Sequence, residues 1–168
     1  MKKINDTEVR WGVLGVGKVC ELKSAPAMNT IPNSRLVAVM RRDTEKAEDY
    51  ALRHGVPKWY SNALDLIQDP EVNAIYIATP PNVHLELTQL AAAAGKPVYV
   101  EKPMVKNITE GPAVIETQKK TGKVLQVGSQ GLSSIGNEKA KALYEAGAIG
   151  ELNYVEGFWA RNTPGGAW

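Results

Sequence analysis

The chain has 168 residues, of which 43% are hydrophobic and 23% charged, and its formal net charge is +2. This ordinary globular composition excludes a disordered or collagen-like chain, and the small charge argues against a nucleic-acid partner. The single cysteine excludes an internal disulfide and a cysteine zinc site, so we predict no metal. Because neither a membrane span nor a signal peptide is visible, we expect a cytoplasmic protein with no membrane partner.

Short apolar runs alternate with longer helical patterns along the whole chain. The runs predict strands at residues 10–14, 36–40, 74–78, 98–100, 124–127 and 152–160. The first five runs lack polar alternation, as expected of strands that are buried on both faces of a parallel sheet. Strands and helices in this order predict an α/β fold, a Rossmann-type doubly wound parallel sheet.

The helical windows between these strands carry start and stop signals. Asp43 and Asn82 stand where helix N-caps belong, and Gly55, Gly95 and Gly122 follow the last periodic residues of three windows. These signals set the expected ends of the helices that connect the strands.

The end of the chain differs from the rest. Residues 152–160 form a long aromatic run, and a segment rich in glycine follows at 161–168. We therefore expect residues 1–128 to be a nucleotide-binding domain and residues 129–168 to begin a second α/β domain for substrate binding and dimerisation. On this interpretation the chain is the N-terminal part of a larger protein.

A glycine-rich turn follows the first predicted strand and opens a helical window. Gly15 permits the tight turn, and Gly17 lets the backbone approach a pyrophosphate at the start of a helix. Cys20 replaces the third glycine of the usual pattern and is small enough for close packing. The alternative is an ordinary tight turn. The predicted cofactor contacts in this segment are Gly15, Val16, Gly17, Lys18 and Val19.

Two arginines follow the second predicted strand. In NAD-binding versions of the fold, an acidic residue about twenty positions after the glycines holds the ribose 2′-hydroxyl. Here Arg41 and Arg42 occupy that region, and a guanidinium matches a 2′-phosphate. The pair favours NADP, with NAD still possible. The alternative is a solvated basic turn in which Asp43 caps the next helix.

Two further loops leave the same edge of the predicted sheet, where open α/β folds bind ligands. The stretch Thr79-Pro80-Pro81-Asn82-Val83-His84 places His84 in the first turn of a helix, a position typical of a partly exposed cap. The stretch Glu101-Lys102-Pro103 places an acid and a lysine at the end of a buried strand. A lysine beside a nicotinamide can transfer a proton, and the alternative is a surface Glu–Lys pair.

Together these motifs resemble the N-terminal half of the glucose–fructose oxidoreductase / inositol dehydrogenase (Gfo/Idh/MocA) family. The resemblance rests on the glycine turn, the Thr79–His84 stretch and above all Glu101-Lys102-Pro103, and it covers about residues 8 to 160. It implies a nicotinamide-dependent oxidoreductase that acts on sugars, polyols or related hydroxy compounds. It also implies a homo-oligomer that is formed through a second domain.

The resemblance further implies roles for individual residues. Lys102 would be the active-site lysine that helps to move the hydroxyl proton, and the Lys102-Pro103 peptide would be cis. Glu101 would line the cofactor pocket, and Gln130 would approach the nicotinamide. The residues expected along the cofactor in the earlier loop are Thr79, Pro80, Asn82 and His84.

Two alternatives remain open from the sequence. A non-catalytic NAD(P)-binding sensor or regulatory module would need the glycine turn but not Lys102. A different nucleotide ligand, such as a methyl donor, would use a similar turn, although the two arginines argue against it.

Overall fold

The computed structural model describes residues 7–18 and 20–158, and the chain divides into two compact units, residues 1–129 and 130–168. The first unit contains six strands. They are β1 (Val9–Leu14), β2 (Ser34–Met40), β3 (Lys58–Tyr60), β4 (Ala74–Ile77), β5 (Val98–Glu101) and β6 (Leu125–Gly128). All are parallel and lie in the order β3-β2-β1-β4-β5-β6, which confirms the predicted doubly wound sheet.

Helices connect the strands of the first unit, and one helix lies in the second. They are α1 (Ala25–Met28), α2 (Thr44–His54), α3 (Ala63–Gln68), α4 (His84–Ala93), α5 (Gly111–Thr121) and α6 (Ile135–Glu145). A π-helical turn, Cys20–Ser24, precedes α1. Short 3₁₀ turns occupy Pro81–Val83, Ile108–Glu110 and Gln130–Ser133.

Hydrophobic cores lie on both faces of the sheet. Consecutive residues of β1 point to opposite faces, so Leu14 joins one core with Ile75 while Val13 joins the other with Tyr76. Each of these four residues is at most 2% exposed. This two-sided burial is why the strands lack polar alternation in the sequence.

Several predicted helix ends are confirmed and one is wrong. The Asp43 carboxylate caps α2 by accepting a hydrogen bond from the Lys46 backbone N–H at 3.2 Å. Gly55 and Gly122 end α2 and α5 with φ of 63°, a left-handed conformation that favours glycine. Asn82 is not an N-cap, because it lies within a 3₁₀ turn that precedes the first residue of α4.

Two strand predictions are corrected by the structure. Strand β3 was not predicted from the sequence; it has three residues, begins with Lys58 and contains half-exposed side chains. The strand predicted at 152–160 is wrong for residues 152–158, which are exposed and have no regular structure, and residues 159 and 160 lie outside the described part.

The second unit contains one α-helix within its described residues. Its helix α6 is capped by the Ser134 hydroxyl, which accepts a hydrogen bond from the Asn137 backbone N–H at 3.2 Å. Every side chain described between residues 131 and 158 is exposed. Across the described residues of both units, none of the helices has the length and apolar character that crossing a bilayer requires.

Candidate nucleotide-binding site

A cleft of about 500 Å³ opens at the carboxyl edge of the sheet, beside the loops that follow β1, β2 and β4. Strand order changes direction between β1 and β4, so this is the switch point at which open α/β sheets bind ligands. The volume falls in the range of small-molecule and cofactor pockets. Eight sequence-predicted residues line it: Gly15, Val16, Gly17, Arg41, Arg42, Thr79, Pro80 and Asn82.

The glycine turn is shaped by contacts on both sides. Gly15 has φ of 94°, and a Cβ added there would lie 2.9 Å from the Thr79 backbone nitrogen. A larger residue therefore fits at this position only if the neighbouring backbone moves. A Cβ added at Gly17 would meet no atom within 4 Å, because this position faces open space. The Glu21 N–H donates to the Gly17 carbonyl oxygen at 3.0 Å, so a helical turn begins directly after the glycines.

The loop after β2 presents a positive wall. Arg41 is half-buried, and its guanidinium donates to the Val16 carbonyl oxygen at 3.4 Å, whereas Arg42 is exposed. The neighbouring acid is already engaged: the Asp43 carboxylate caps α2 and forms an ion pair with Lys46. The hydrogen bonds from Lys46 hold the pKa of Asp43 below its usual range. The charge that this loop offers to a ligand is therefore mainly positive.

His84 lies beneath the loops rather than on the cleft wall. It is only 1% exposed, so the expected partly exposed position is wrong. Its Nε2 lies 2.8 Å from the Thr79 carbonyl oxygen, and its Nδ1 lies 2.8 Å from the Pro103 carbonyl oxygen. Both oxygens are hydrogen-bond acceptors, so a ring N–H of His84 donates to at least one of them. The ring thus connects a cleft-lining loop to the loop that contains Lys102.

Glu101 ends β5 and is held by a neighbouring strand. The Tyr76 hydroxyl of β4 donates to the Glu101 carboxylate at 2.6 Å. Burial raises the pKa of Tyr76, and the hydrogen bond to Glu101 raises it further, so the phenol remains a donor. Burial also raises the pKa of the Cys20 thiol, and the negative charge of Glu101 acts in the same direction. The Glu101 carboxylate is thus held at the end of β5 by a partner on β4.

The remaining predicted residues are placed differently. Lys102 is exposed, its peptide bond to Pro103 is cis as the resemblance implied, and its ammonium group has no hydrogen bond or ion pair with residues 7–18 or 20–158. Lys18 is exposed and does not line the cleft. Gln130 begins a 3₁₀ turn of the second unit, and Val19 lies outside the described residues.

Much of the apolar lining of the cleft was not predicted from the sequence. Seven further apolar residues line it, namely Met40, Ala63, Leu64, Ala78, Val83, Leu87 and Leu90, together with the polar Asn62 and Glu86. The signal was present as a helical apolar stripe through Val83, Leu87 and Leu90, but such a stripe is ordinarily core. Tyr76 was also missed, although it is a polar-tipped residue within an otherwise aliphatic strand.

Two observations indicate that a dinucleotide fits these residues. The open space at Gly17 leaves the backbone of the turn accessible, as close approach of a pyrophosphate requires. The Thr79 hydroxyl beside the cleft is buried without a hydrogen-bond partner in the described chain. A metal is not indicated by the same residues, since no group of three His, Cys, Asp or Glu side chains converges within the described part.

Comparisons with known proteins agree with this geometry. Residues 9–129 match the sequence model of the Gfo/Idh/MocA oxidoreductase family, described as an NAD-binding Rossmann fold. The chain is 42% identical over 151 residues to Oxidoreductase P35 of Formosa agariphila, covering 90% of this chain and 47% of that protein. It is 32% identical over 151 residues to scyllo-inositol 2-dehydrogenase (NAD(+)) of Bacillus subtilis, covering 90% of this chain and 44% of that protein.

A solved structure shows the same fold. A probable dehydrogenase from Thermotoga maritima superposes with a TM-score of 0.80 at 30% identity, over 84% of this chain and 42% of that one. The chain thus spans less than half the length of the curated relatives described above. With the family model matching most of the chain, the conclusion is that this protein belongs to the Gfo/Idh/MocA oxidoreductase family and carries its NAD-binding Rossmann fold.

Proposed function

We propose that this chain is the cofactor-binding part of an oxidoreductase that transfers a hydride between a nicotinamide cofactor and a hydroxyl-bearing carbon of a sugar, polyol or related compound. The observation that carries the proposal is the cleft at the switch point, with the glycine turn on one wall and the Glu101-Lys102-Pro103 loop two strands away. The substrate class is supported by relatives named as dehydrogenases of scyllo-inositol and of a dihydrobenzene diol.

The proposed roles follow the sheet edge from β1 to β5. Backbone amides of the turn from Gly15 to Gly17 would hold the pyrophosphate. Once bound, the nicotinamide supplies or accepts the hydride. We assign to Lys102 the transfer of the substrate hydroxyl proton, because an exposed ammonium group without an internal partner is free to reach a ligand.

We propose NADP rather than NAD as the preferred cofactor. Arg41 and Arg42 line the cleft, while the carboxylate of Asp43 is engaged with helix α2 and Lys46. A charge-assisted contact to a 2′-phosphate contributes about 1.5–3 kcal/mol, which corresponds to roughly 10- to 150-fold in affinity.

The other predicted cofactor contacts differ in where the structure places them relative to the cleft. Thr79, Pro80 and Asn82 line the cleft and are proposed to contact the cofactor directly. His84 is proposed to act from beneath, by holding the carbonyl groups of the two loops. Lys18 and Val19 are proposed as cofactor contacts from the glycine-turn motif, and Gln130 is proposed from the family resemblance alone.

We also propose that residues 129–168 belong to a substrate-binding and dimerisation domain. Large apolar side chains are exposed near its end, with Tyr154 76% and Phe158 87% exposed. Light scattering on this chain, compared with a version that ends at Gly150, tests this. Self-association that is lost on shortening supports the proposal, and a monomer in both forms contradicts it.

Calorimetric titration of the chain with NADPH and NADH tests the proposed cofactor. We expect NADPH to bind roughly 10- to 150-fold more tightly, and Arg41→Ala to remove most of that difference. Arg35→Ala is the matched control, since Arg35 is exposed at the other end of β2 and pairs with Glu8 at 3.4 Å.

The outcomes separate the two parts of the proposal. Equal or reversed affinities for NADPH and NADH contradict the NADP assignment while leaving dinucleotide binding intact. Failure of both dinucleotides to bind contradicts the proposed function itself.

A further inference from the structure

A tyrosine and a glutamate form a buried pair at the ends of two neighbouring strands. Tyr76 of β4 lies opposite Tyr99 of β5, and Glu101 is two residues further along β5, on the same face of the sheet. The Tyr76 side chain is 2% exposed, and its hydroxyl donates to the half-buried Glu101 carboxylate at 2.6 Å. A hydrogen bond to an ionised acceptor is shorter and stronger than a neutral one.

The pair restricts where the carboxylate charge lies. The Tyr76 ring is packed in the core that contains Cys20, and its centroid is 5.6 Å from that of Tyr99. A ring packed in this way has little freedom to move, so its hydroxyl is a fixed point of attachment. The Glu101 carboxylate is therefore held at the carboxyl edge of the sheet.

This position matters because of the direction in which a dinucleotide would lie. On the proposed function, the pyrophosphate lies at the glycine turn after β1 and the adenosine half extends toward Arg41 after β2. The nicotinamide half must then extend the other way, across the ends of β4 and β5. Glu101 ends β5, so its charge lies on the nicotinamide side of the site.

The two redox states of the cofactor differ in charge at that ring. The oxidised nicotinamide is a cation and the reduced ring is neutral, so a nearby carboxylate attracts the first and has little effect on the second. We propose that Tyr76 is a positioning residue that holds the Glu101 carboxylate beside the nicotinamide, and that this held charge makes the site favour the oxidised cofactor. The inference rests on the proposed function and adds a cofactor-state preference to it.

The test is the ratio of dissociation constants for NADP⁺ and NADPH, measured by calorimetry on the chain and on three variants. Glu101→Gln keeps the size of the side chain and removes its charge, and is expected to weaken NADP⁺ relative to NADPH on the order of tenfold. Tyr76→Phe removes only the hydroxyl and is expected to shift the ratio in the same direction by roughly threefold, because the carboxylate is then free to move.

Tyr99→Phe is the matched control. It removes a hydroxyl from the adjacent ring on the same face, and that hydroxyl has no hydrogen bond within the described residues. The ratio is expected to stay unchanged. In a Glu101→Gln background, Tyr76→Phe is also expected to have no further effect on the ratio, since there is no charge left to position.

The binding measurements can overturn each part of the inference separately. An unchanged ratio in Glu101→Gln overturns the role of the charge, and this variant decides that point even where Tyr76→Phe fails to fold. A shift in Glu101→Gln with Tyr76→Phe identical to Tyr99→Phe overturns the positioning role of Tyr76. Binding of neither NADP⁺ nor NADPH by the unchanged chain contradicts the proposed function, and the inference fails with it.

Discussion

The two halves of the carboxyl edge differ in how their polar groups are used. On the β1–β2 side, the glycine turn and Arg41 border an open cleft of about 500 Å³. On the β4–β5 side, two buried polar side chains contact the protein itself: the Tyr76 hydroxyl donates to Glu101, and the His84 ring nitrogens lie 2.8 Å from the Thr79 and Pro103 carbonyl oxygens. The first half is a surface shaped to receive a ligand, whereas the second is a framework fixed in advance.

Because of this difference, we expect substitutions in the two halves to have different effects. Removing a group from the open half should weaken dinucleotide binding or change the selectivity between NADP and NAD, because these groups border the cleft that receives the ligand. Removing a group from the bonded half should instead change stability, turnover or the preference between oxidised and reduced cofactor, since these groups position others.

The first prediction concerns Lys102, an exposed residue of the bonded half whose ammonium group has no internal partner in the described chain. In the whole protein, Lys102→Ala is expected to lower turnover of a polyol substrate by about 10²–10⁴-fold, the usual contribution of a positioned acid or base. Cofactor affinity should change far less. Lys119→Ala, an exposed lysine on α5, is the control. Retained turnover with lost NADP binding would show that Lys102 is a binding residue.

The second prediction compares the two glycines of the open half. Gly17→Ala is expected to weaken dinucleotide binding without changing the stability of the free chain, because only a ligand approaches that position. Gly15→Ala is expected to weaken binding and also to lower the free energy of unfolding by about 1–3 kcal/mol, because of its positive φ and the contact with Thr79. Titration and denaturant unfolding measure both. Equal stability of the two variants would contradict the comparison.

The third prediction tests the framework of the bonded half. His84→Asn is expected to lower the free energy of unfolding by about 2–3 kcal/mol, because it removes buried hydrogen bonds and leaves a cavity. His54→Asn is the control, since the His54 side chain is 27% exposed on α2. Denaturant unfolding curves give both values. Equal losses in the two variants would mean that His84 has no special structural role.

The smallest expected effect concerns Asp43. Asp43→Ala is expected to lower the melting temperature by about 2–4 °C, because loss of one helix cap has about this effect in a chain of this length. The preference for NADPH over NADH is expected to stay unchanged. The pKa of Asp43 is lowered by Lys46, so its stabilisation is present above the ordinary aspartate pKa and is lost as the pH falls through the lowered one. Weaker NADH binding in the variant would instead identify Asp43 as a ribose ligand.

The sequence predicted the elements whose patterns are local. Five apolar runs correspond to β1, β2, β4, β5 and β6, and Asp43 caps the helix it precedes. The strand Lys58–Tyr60 was missed because three residues beginning with lysine, at the edge of the sheet, leave no apolar run. The aromatic run at 152–158 suggested a strand, but strand formation depends on a pairing partner that composition does not provide.

The site was predictable where motifs are contiguous and not where partners are distant. The glycine turn and both arginines lie on the cleft as expected. The burial of His84 depends on a carbonyl group 19 residues away, and the Tyr76–Glu101 bond joins residues 25 apart. Such contacts follow from strand order and register, which a single sequence does not give.

The central claim is that a dinucleotide lies across this edge, with its adenosine half on the open side and its nicotinamide half at the bonded side. The most direct test is to map backbone amide shifts by NMR on the labelled chain with 2′,5′-ADP and, separately, with NADP⁺. Both ligands are predicted to shift Gly17 and Arg41, and only NADP⁺ is predicted to shift Glu101 and Lys102. Identical shifts with the two ligands, or shifts away from Gly17 and Arg41, would contradict the account.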